Sequence, residues 1–166
     1  MYKFILDNSN DDYDIYIDLI SSAAGRYLSR RPYVIALIKK LIVTKRLSEK
    51  RVVIEQDMGR GIGTTDIVTT SEKDTIYYAQ ALKTNVYLRF AKNRCPQISN
   101  ILTVILERDD DGNYEVTDAW IGSNYPAFPG DKHETTASKK FWQTHALVQD
   151  SQVIQSKSLT KTCPYE

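Results

Sequence analysis

Cysteine and histidine each occur only twice in the 166 residues. That scarcity excludes a zinc finger, a four-cysteine cluster and a haem-attachment motif. A metal site built on three imidazoles is excluded for the same reason. Cys95 and Cys163 have each other as the only disulfide choice, and two cysteines make no disulfide framework. A reduced, cytoplasmic setting is the simpler expectation. No apolar run approaches the roughly 18 residues that a membrane span needs, so no membrane association is expected. The first residues are acidic, which argues against a signal peptide.

What is present is sorted. Apolar residues make up 42% of the chain, enough for a core, and the length suits one domain with a small helical annex. Lys and Arg number 22 against 21 Asp and Glu, but the signs are separated along the chain. Met1 to Asp18 carries Asp7, Asp11, Asp12, Asp14 and Asp18 with a single lysine. Arg26 to Arg51 carries nine basic residues and only Glu49 as an acid. Solvated helix faces with the acidic head against the basic stretch are one reading; a nucleic-acid or phosphate surface is the other.

The apolar spacing predicts helices over 13–29 and 33–46, interrupted at Pro32. Arg51 to Gln56 reads as a strand, Asp57 to Thr65 with its three glycines as a loop or tight turn, and Asp66 to Val68 as a short extended piece. Ser71 to Asp74 reads as a helix start followed by Ile76, Tyr77, Ala79 and Leu82. Strands then dominate: Asn85–Ala91, Ile101–Glu107, and Tyr114–Ile121 after a turn at Asp109–Asn113. A short helix through Lys139 to Trp142, capped by Thr135 or Thr136, precedes a last strand from His145 to Val148. The expected fold is α+β, with N-terminal helices followed by a roughly four-stranded antiparallel sheet. The expected segments are a helical 1–50, a core domain 51–150 and a polar tail 151–166 that frays.

Most motif candidates fail on spacing. Gly59, Gly61 and Gly63 lack the lysine of a P-loop and the βαβ setting of a dinucleotide fingerprint. Asp109 to Asp111 has a calcium loop's composition without its spacing. Cys95 beside Pro96 reads as a turn residue, not a catalytic thiol.

Two segments carry more. In Asn85–Arg94, alternation puts Tyr87, Arg89 and Ala91 on one face, with Arg89 expected to point outward, free to meet a phosphate or carboxylate. A surface salt bridge to Glu107 or Asp118 is the plainer reading of Arg89. The segment Asp118 to Val148 holds both tryptophans and both histidines. His145 falls at a helix–strand junction, where a base is held firmly. His133 falls in a polar loop.

Two imidazoles with cationic neighbours suffice for metal-independent RNA cleavage. That reaction needs a base for the ribose 2′-hydroxyl, an acid for the leaving 5′-oxygen, and charge to hold the phosphorane. Imidazoles titrate near neutrality and suit both proton transfers. His145, His133 and Arg89 are therefore the candidate catalytic residues, with Lys92, Tyr87 and Thr103 as candidate substrate-binding residues. A metal-dependent nuclease would need a histidine with Asp118 or Asp131 and is the weaker enzyme reading.

The layout of 51–148, with "NVYLRFAKNR", "ILTVILERDDDGNYEVTDAWIG" and "FPGDKHETTASKKFWQTHALV", resembles the bacterial ribonuclease-toxin superfamily that groups barnase-like, colicin-nuclease-like and RelE-like domains. The resemblance is one of layout and short phrases. It implies an endoribonuclease with no cofactor, acting on RNA such as tRNA. Its implied partners are an antitoxin or immunity protein, and a homodimer is a further expectation. Members of the superfamily differ in their catalytic residues; by analogy His145, Arg89 and Lys92 would sit on the RNA-holding face of the sheet. The competing class is a non-enzymatic module, either nucleic-acid-binding or antitoxin-like and protein-binding.

Overall fold

A computed structural model describes residues 3–6, 13–18, 22–148 and 154–165. The chain begins with β1 (Lys3–Leu6), β2 (Ile15–Asp18), α1 (Ala23–Leu28), α2 (Pro32–Ile42) and β3 (Arg51–Asp57). Five short strands follow: β4 (Gly63–Thr65), β5 (Ile67–Thr69), β6 (Ile76–Gln80), β7 (Tyr87–Ala91) and β8 (Gln97–Ser99). The remainder is β9 (Ile101–Arg108), β10 (Tyr114–Ile121), α3 (Ser138–Thr144) and β11 (His145–Leu147), with a 3-10 turn at Ser156–Ser158. Asp7, Asp11, Asp12, Leu19 and Ile20, and the start of the polar tail at 150–153, lie outside the described residues.

The chain folds into two compact units, and each is assembled from two stretches of sequence. Unit 1 combines 1–62 with 100–123, and unit 2 combines 63–99 with 124–166. The stretch 51–150, expected as one core domain, is divided between them.

Unit 1 is a five-stranded sheet in the order β1-β2-β10-β9-β3. β9 and β10 pair antiparallel around the Asp109–Asn113 turn, and β3 pairs antiparallel with β9. Asp109 shapes that turn: its Oδ1 accepts from Asp111 N–H at 3.0 Å and Asn113 N–H at 2.9 Å. Gly112 takes φ +88°, a conformation that only glycine adopts without strain. One face of the sheet is apolar, with Ile54, Leu102, Val104, Leu106, Val116 and Ile121 buried. Val34, Ile38, Leu41 and Ile42 recur at helical spacing on α2 and join the same core.

Unit 2 has a four-stranded sheet in the order β5-β11-β7-β6 and a two-stranded ribbon β4-β8. β6 and β7 form an antiparallel hairpin, and β11 runs parallel to β7. Trp142 on α3 is fully buried, stacked on Phe128 at 3.8 Å, and its indole N–H donates to Pro126 C=O at 3.0 Å.

The α+β class holds, but the single four-stranded antiparallel sheet does not: the described residues form three sheets, and two of these include a parallel pairing. The helix expected over 13–29 is instead β2 followed by the short α1. Ile15-Tyr16-Ile17 is a β-branched and aromatic run, and it gains two strand neighbours, β1 and β10, which outweigh its weak helical periodicity. The helix expected after Ser71 is the strand β6. There the Asp74 carboxylate turns back to accept from Ser71 N–H at 2.7 Å, closing a turn instead of opening a helix.

Candidate functional site

The register of the unit 2 sheet decides which side chains meet. Tyr78 lies opposite Arg89, Leu147 beside Phe90, and His145 opposite Thr69. Paired residues share a face and neighbours along a strand alternate. His145, Thr69, Leu147, Phe90 and Tyr77 therefore occupy one face. Arg89, Tyr87, Tyr78 and Ala146 occupy the other.

Arg89 does not point into solvent as expected; it is only 8% exposed. Its Nη1 donates to Thr70 Oγ1 at 2.9 Å and to His145 C=O at 2.8 Å. Its Nε is buried with no hydrogen-bond partner among the described residues. The Tyr78 hydroxyl lies between this guanidinium and the Cys163 thiol. Burial pushes the Tyr78 phenol up, the Cys163 contact adds to that, and Arg89 opposes it. Tyr165 packs edge-on against Tyr78 at 5.7 Å. Strand alternation correctly separates the two faces of β7, but it cannot tell that C-terminal residues cover the Arg89 face.

His145 is at the expected junction, ending α3 and opening β11. Its ring stacks on Phe141 at 4.0 Å. Nδ1 lies 3.0 Å from both Phe141 C=O and Thr144 Oγ1. Thr69 Oγ1 stands 3.5 Å from Nε2. Arg89 thus touches the backbone of His145, while its guanidinium and the imidazole are on opposite faces.

The other candidates are dispersed. His133 is exposed in its loop, where its N–H donates to Asp131 Oδ1 at 2.8 Å. Thr103 belongs to unit 1, is fully buried, and gives its hydroxyl to Gly122 C=O at 2.7 Å. Tyr87 is half-buried on the Arg89 face. Lys92 follows β7 directly; with Leu147 beside Phe90, it lies four residues beyond the level of His145, about 13 Å along the strand direction. Cys95 and Cys163 are both free thiols. Among the described residues no group of three or more His, Cys, Asp or Glu side chains is placed to hold a metal ion.

Lys92 does line a cavity. About 480 Å³ opens where the C-terminal ends of β7 and β11 meet the start of β6. Ile76, Tyr77, Val148 and Leu159 are its apolar lining residues, and Thr75, Lys92, Thr160 and Lys161 its polar ones. No carboxylate occurs among the described residues that line it. The backbone fixes these walls. Lys92 N–H donates to Thr75 C=O at 2.9 Å, and Thr160 exchanges bonds with Tyr78 at 2.7 and 3.0 Å. Tyr77 is held flat by stacking on Phe90 at 5.1 Å and 15°.

Sequence reasoning missed Lys161 and Thr160 by treating the tail as frayed. No local pattern marks this stretch: Leu159 is the one apolar residue in Ser158–Thr162 and is 53% exposed, and Thr160 pairs with Tyr78 only through an isolated bridge. Compared with protein-family models, curated proteins and solved structures, the chain matches none of them.

Proposed function

We propose that unit 2 binds a small organic anion, a phosphate ester or carboxylate carrying an apolar or aromatic body. The observation that carries this reading is the cavity of about 480 Å³ with Lys92 and Lys161 on its lining and no described carboxylate. Its size is in the range of small-molecule sites, and its mixture of apolar wall and few polar groups is what such sites use. Two ammonium groups supply charge without a fixed fork geometry, which suits a phosphate or carboxylate approached as a point charge. The threonine hydroxyls add hydrogen bonds that orient it.

Calorimetric titration of the full chain with nucleoside monophosphates and with aromatic carboxylates tests the reading. Saturable binding that weakens by about tenfold in Lys92→Gln and in Lys161→Gln is expected, since a charge-assisted contact is worth roughly 1.5 kcal/mol. The corresponding neutral nucleosides are expected to bind more weakly. Absence of saturable binding by both ligand classes, or binding indifferent to both substitutions, rejects it.

The endoribonuclease reading keeps one specific support, a half-buried His145 whose imidazole is held in place by stacking on Phe141. In that reading His145 is the base that takes the ribose 2′-hydroxyl proton. The test is incubation with tRNA in the presence of a chelator. Cleavage that disappears in His145→Ala with an unchanged far-ultraviolet spectrum supports it; no cleavage by the folded wild-type chain removes it.

A further inference from the structure

The C-terminal segment 154–165 lies along the outer edge of β6, bridged to it at Ala81–Ile154 and Tyr78–Thr160. Gln155 N–H donates to Gln80 C=O at 2.7 Å, and Thr160 and Tyr78 exchange two bonds at 2.7 and 3.0 Å. Between these points Ser158 ends the 3-10 turn. Its hydroxyl donates to Gln155 C=O and its Oγ accepts from Gln80 N–H, both at 2.6 Å. Further along, Cys163 and Tyr165 come against Tyr78.

These fastenings are chiefly hydrogen bonds. No residue of 154–165 is fully buried, and Leu159, the apolar residue at its middle, is 53% exposed. Hydrogen bonds that water can replace contribute little net stability each, and there is little apolar burial to add to them. Docking also carries a cost. Tyr78 lies opposite Arg89, so covering it shields a guanidinium whose Nε has no hydrogen-bond partner. A segment held in this way opens locally, at a lower free energy than the sheet beneath it needs to unfold.

The same segment builds part of the cavity. Leu159, Thr160 and Lys161 line it, and Lys161 is one of its two lysines. With the segment undocked, Lys92 and Thr75 remain, but the second cation and Thr160 are gone. Resting on the anion-binding reading above, we propose that 154–165 is a strap whose docking on β6 completes the anion site. Ligand binding and strap docking are then one coupled equilibrium. A ligand that needs Lys161 and Thr160 binds the docked form and holds it closed. Conversely, loosening the strap lowers the fraction of chains competent to bind, even when the change is remote from the cavity.

Native-state hydrogen exchange of the full chain, read amide by amide by nuclear magnetic resonance, tests this. Gln155 and Thr160 N–H report the two ends of the strap. Thr70 N–H, bonded to Thr144 C=O at 2.8 Å in the same unit, reports the sheet. Without ligand the two strap amides are expected to share one protection, lower than that of Thr70. The probe is adenosine monophosphate or benzoate, whichever binds in calorimetric titration. At about a hundred times its Kd it is expected to slow both strap amides by about a hundredfold, as a ligand selective for the closed form does. Gln155 is the deciding amide, because it does not line the cavity and is not shielded by direct contact. Ser158→Ala removes two strap bonds outside the lining and is expected to speed both amides about tenfold in the ligand-free chain.

Strap amides as well protected as Thr70, or unchanged in Ser158→Ala, overturn the proposal. Saturated binding that leaves Gln155 exchange unchanged also overturns it, and in that case the anion site itself stands. Binding by neither probe rejects the anion site, and the coupling falls with it.

Discussion

Arg89 is held by a threonine hydroxyl and a backbone carbonyl, and this makes it a part of the fold more than a surface group. Both acceptors, Thr70 Oγ1 and His145 C=O, lose a charged donor if it is removed. Arg89→Leu is expected to lower the unfolding free energy by about 3 kcal/mol in a urea titration, the scale of stranding buried partners of a charged group. A solvent-facing phosphate anchor would show no such loss. Asp118 offers a second test. It is partly buried on β10, and burial pushes its carboxyl above the ordinary carboxylate range, although Ala119 N–H donates to its Oδ1 at 2.9 Å and opposes this. A carboxyl raised in the folded state binds its proton more tightly there than in the unfolded chain. Its favourable contribution is therefore full below the unfolded value and is lost as pH rises through the folded one. Asp118→Asn keeps the oxygen acceptor and removes the charge. It is expected to raise the melting temperature at neutral pH, with the gain fading as pH falls through the raised folded value and gone once pH is below the ordinary aspartate value. The residue types at β7 and β11 could be read from the sequence, and so could the junction position of His145. The burial of Arg89 could not, because it depends on residues 154–165 folding back from far along the chain.

Among the elements, α1 shows how little local signal can suffice. It has six residues and depends on Ser22, whose Oγ accepts from Gly25 N–H at 2.8 Å while its hydroxyl donates to Asp18 C=O at 2.6 Å. Ser22 thus ties the end of β2 to the start of the helix. Ser22→Ala is expected to cost about 1 kcal/mol in unfolding free energy, measured by denaturant titration, as loss of an N-cap does. The strands β3, β7, β9, β10 and β11 were legible from alternation, β-branched content and the Asp-Gly-Asn turn. β2 and β6 were not. In β2, Tyr16 and Ile17 fit a helical stripe as well as a strand, and only pairing with β10, a hundred positions away in round terms, decides between them. In β6, the polar Ser71–Asp74 stretch has the residue types of a helix start, and the turn closed by Asp74 competes with it. Arg94 donates to Asp74 at 3.2 Å; the bond from Ser71 N–H, with Arg94 adding to it, holds this carboxyl below the usual carboxylate range although burial opposes it. The cavity borrows its lysines from two such elements, one legible and one dismissed as tail.

At the scale of the whole chain, the two-unit arrangement is invisible to a left-to-right reading, because neither unit is continuous. The stretch 63–99 enters between β3 and β9, which are paired with each other in unit 1. The ends of this excursion are tied near Asp57 and Asn100, where Asn100 Nδ2 donates to Asp57 Oδ1 at 2.7 Å. Joining 1–62 to 100–123 through a short flexible linker is therefore expected to give a folded unit 1, with dispersed amide resonances in a nuclear magnetic resonance spectrum. Residues 63–99 alone are expected to give none, since β7 would lack β11.

The interleaving also sets an order of events during synthesis. β3 emerges from the ribosome before 58–100 has been made, yet its inner partner β9 follows only after that stretch. Until then both edges of a valine- and isoleucine-bearing strand are bare, so the nascent chain passes through a window in which premature sticking competes with correct pairing. The same delay applies to β2, which waits for β10. The growing chain must keep its first helices and strands from aggregating until β9 and β10 have been made.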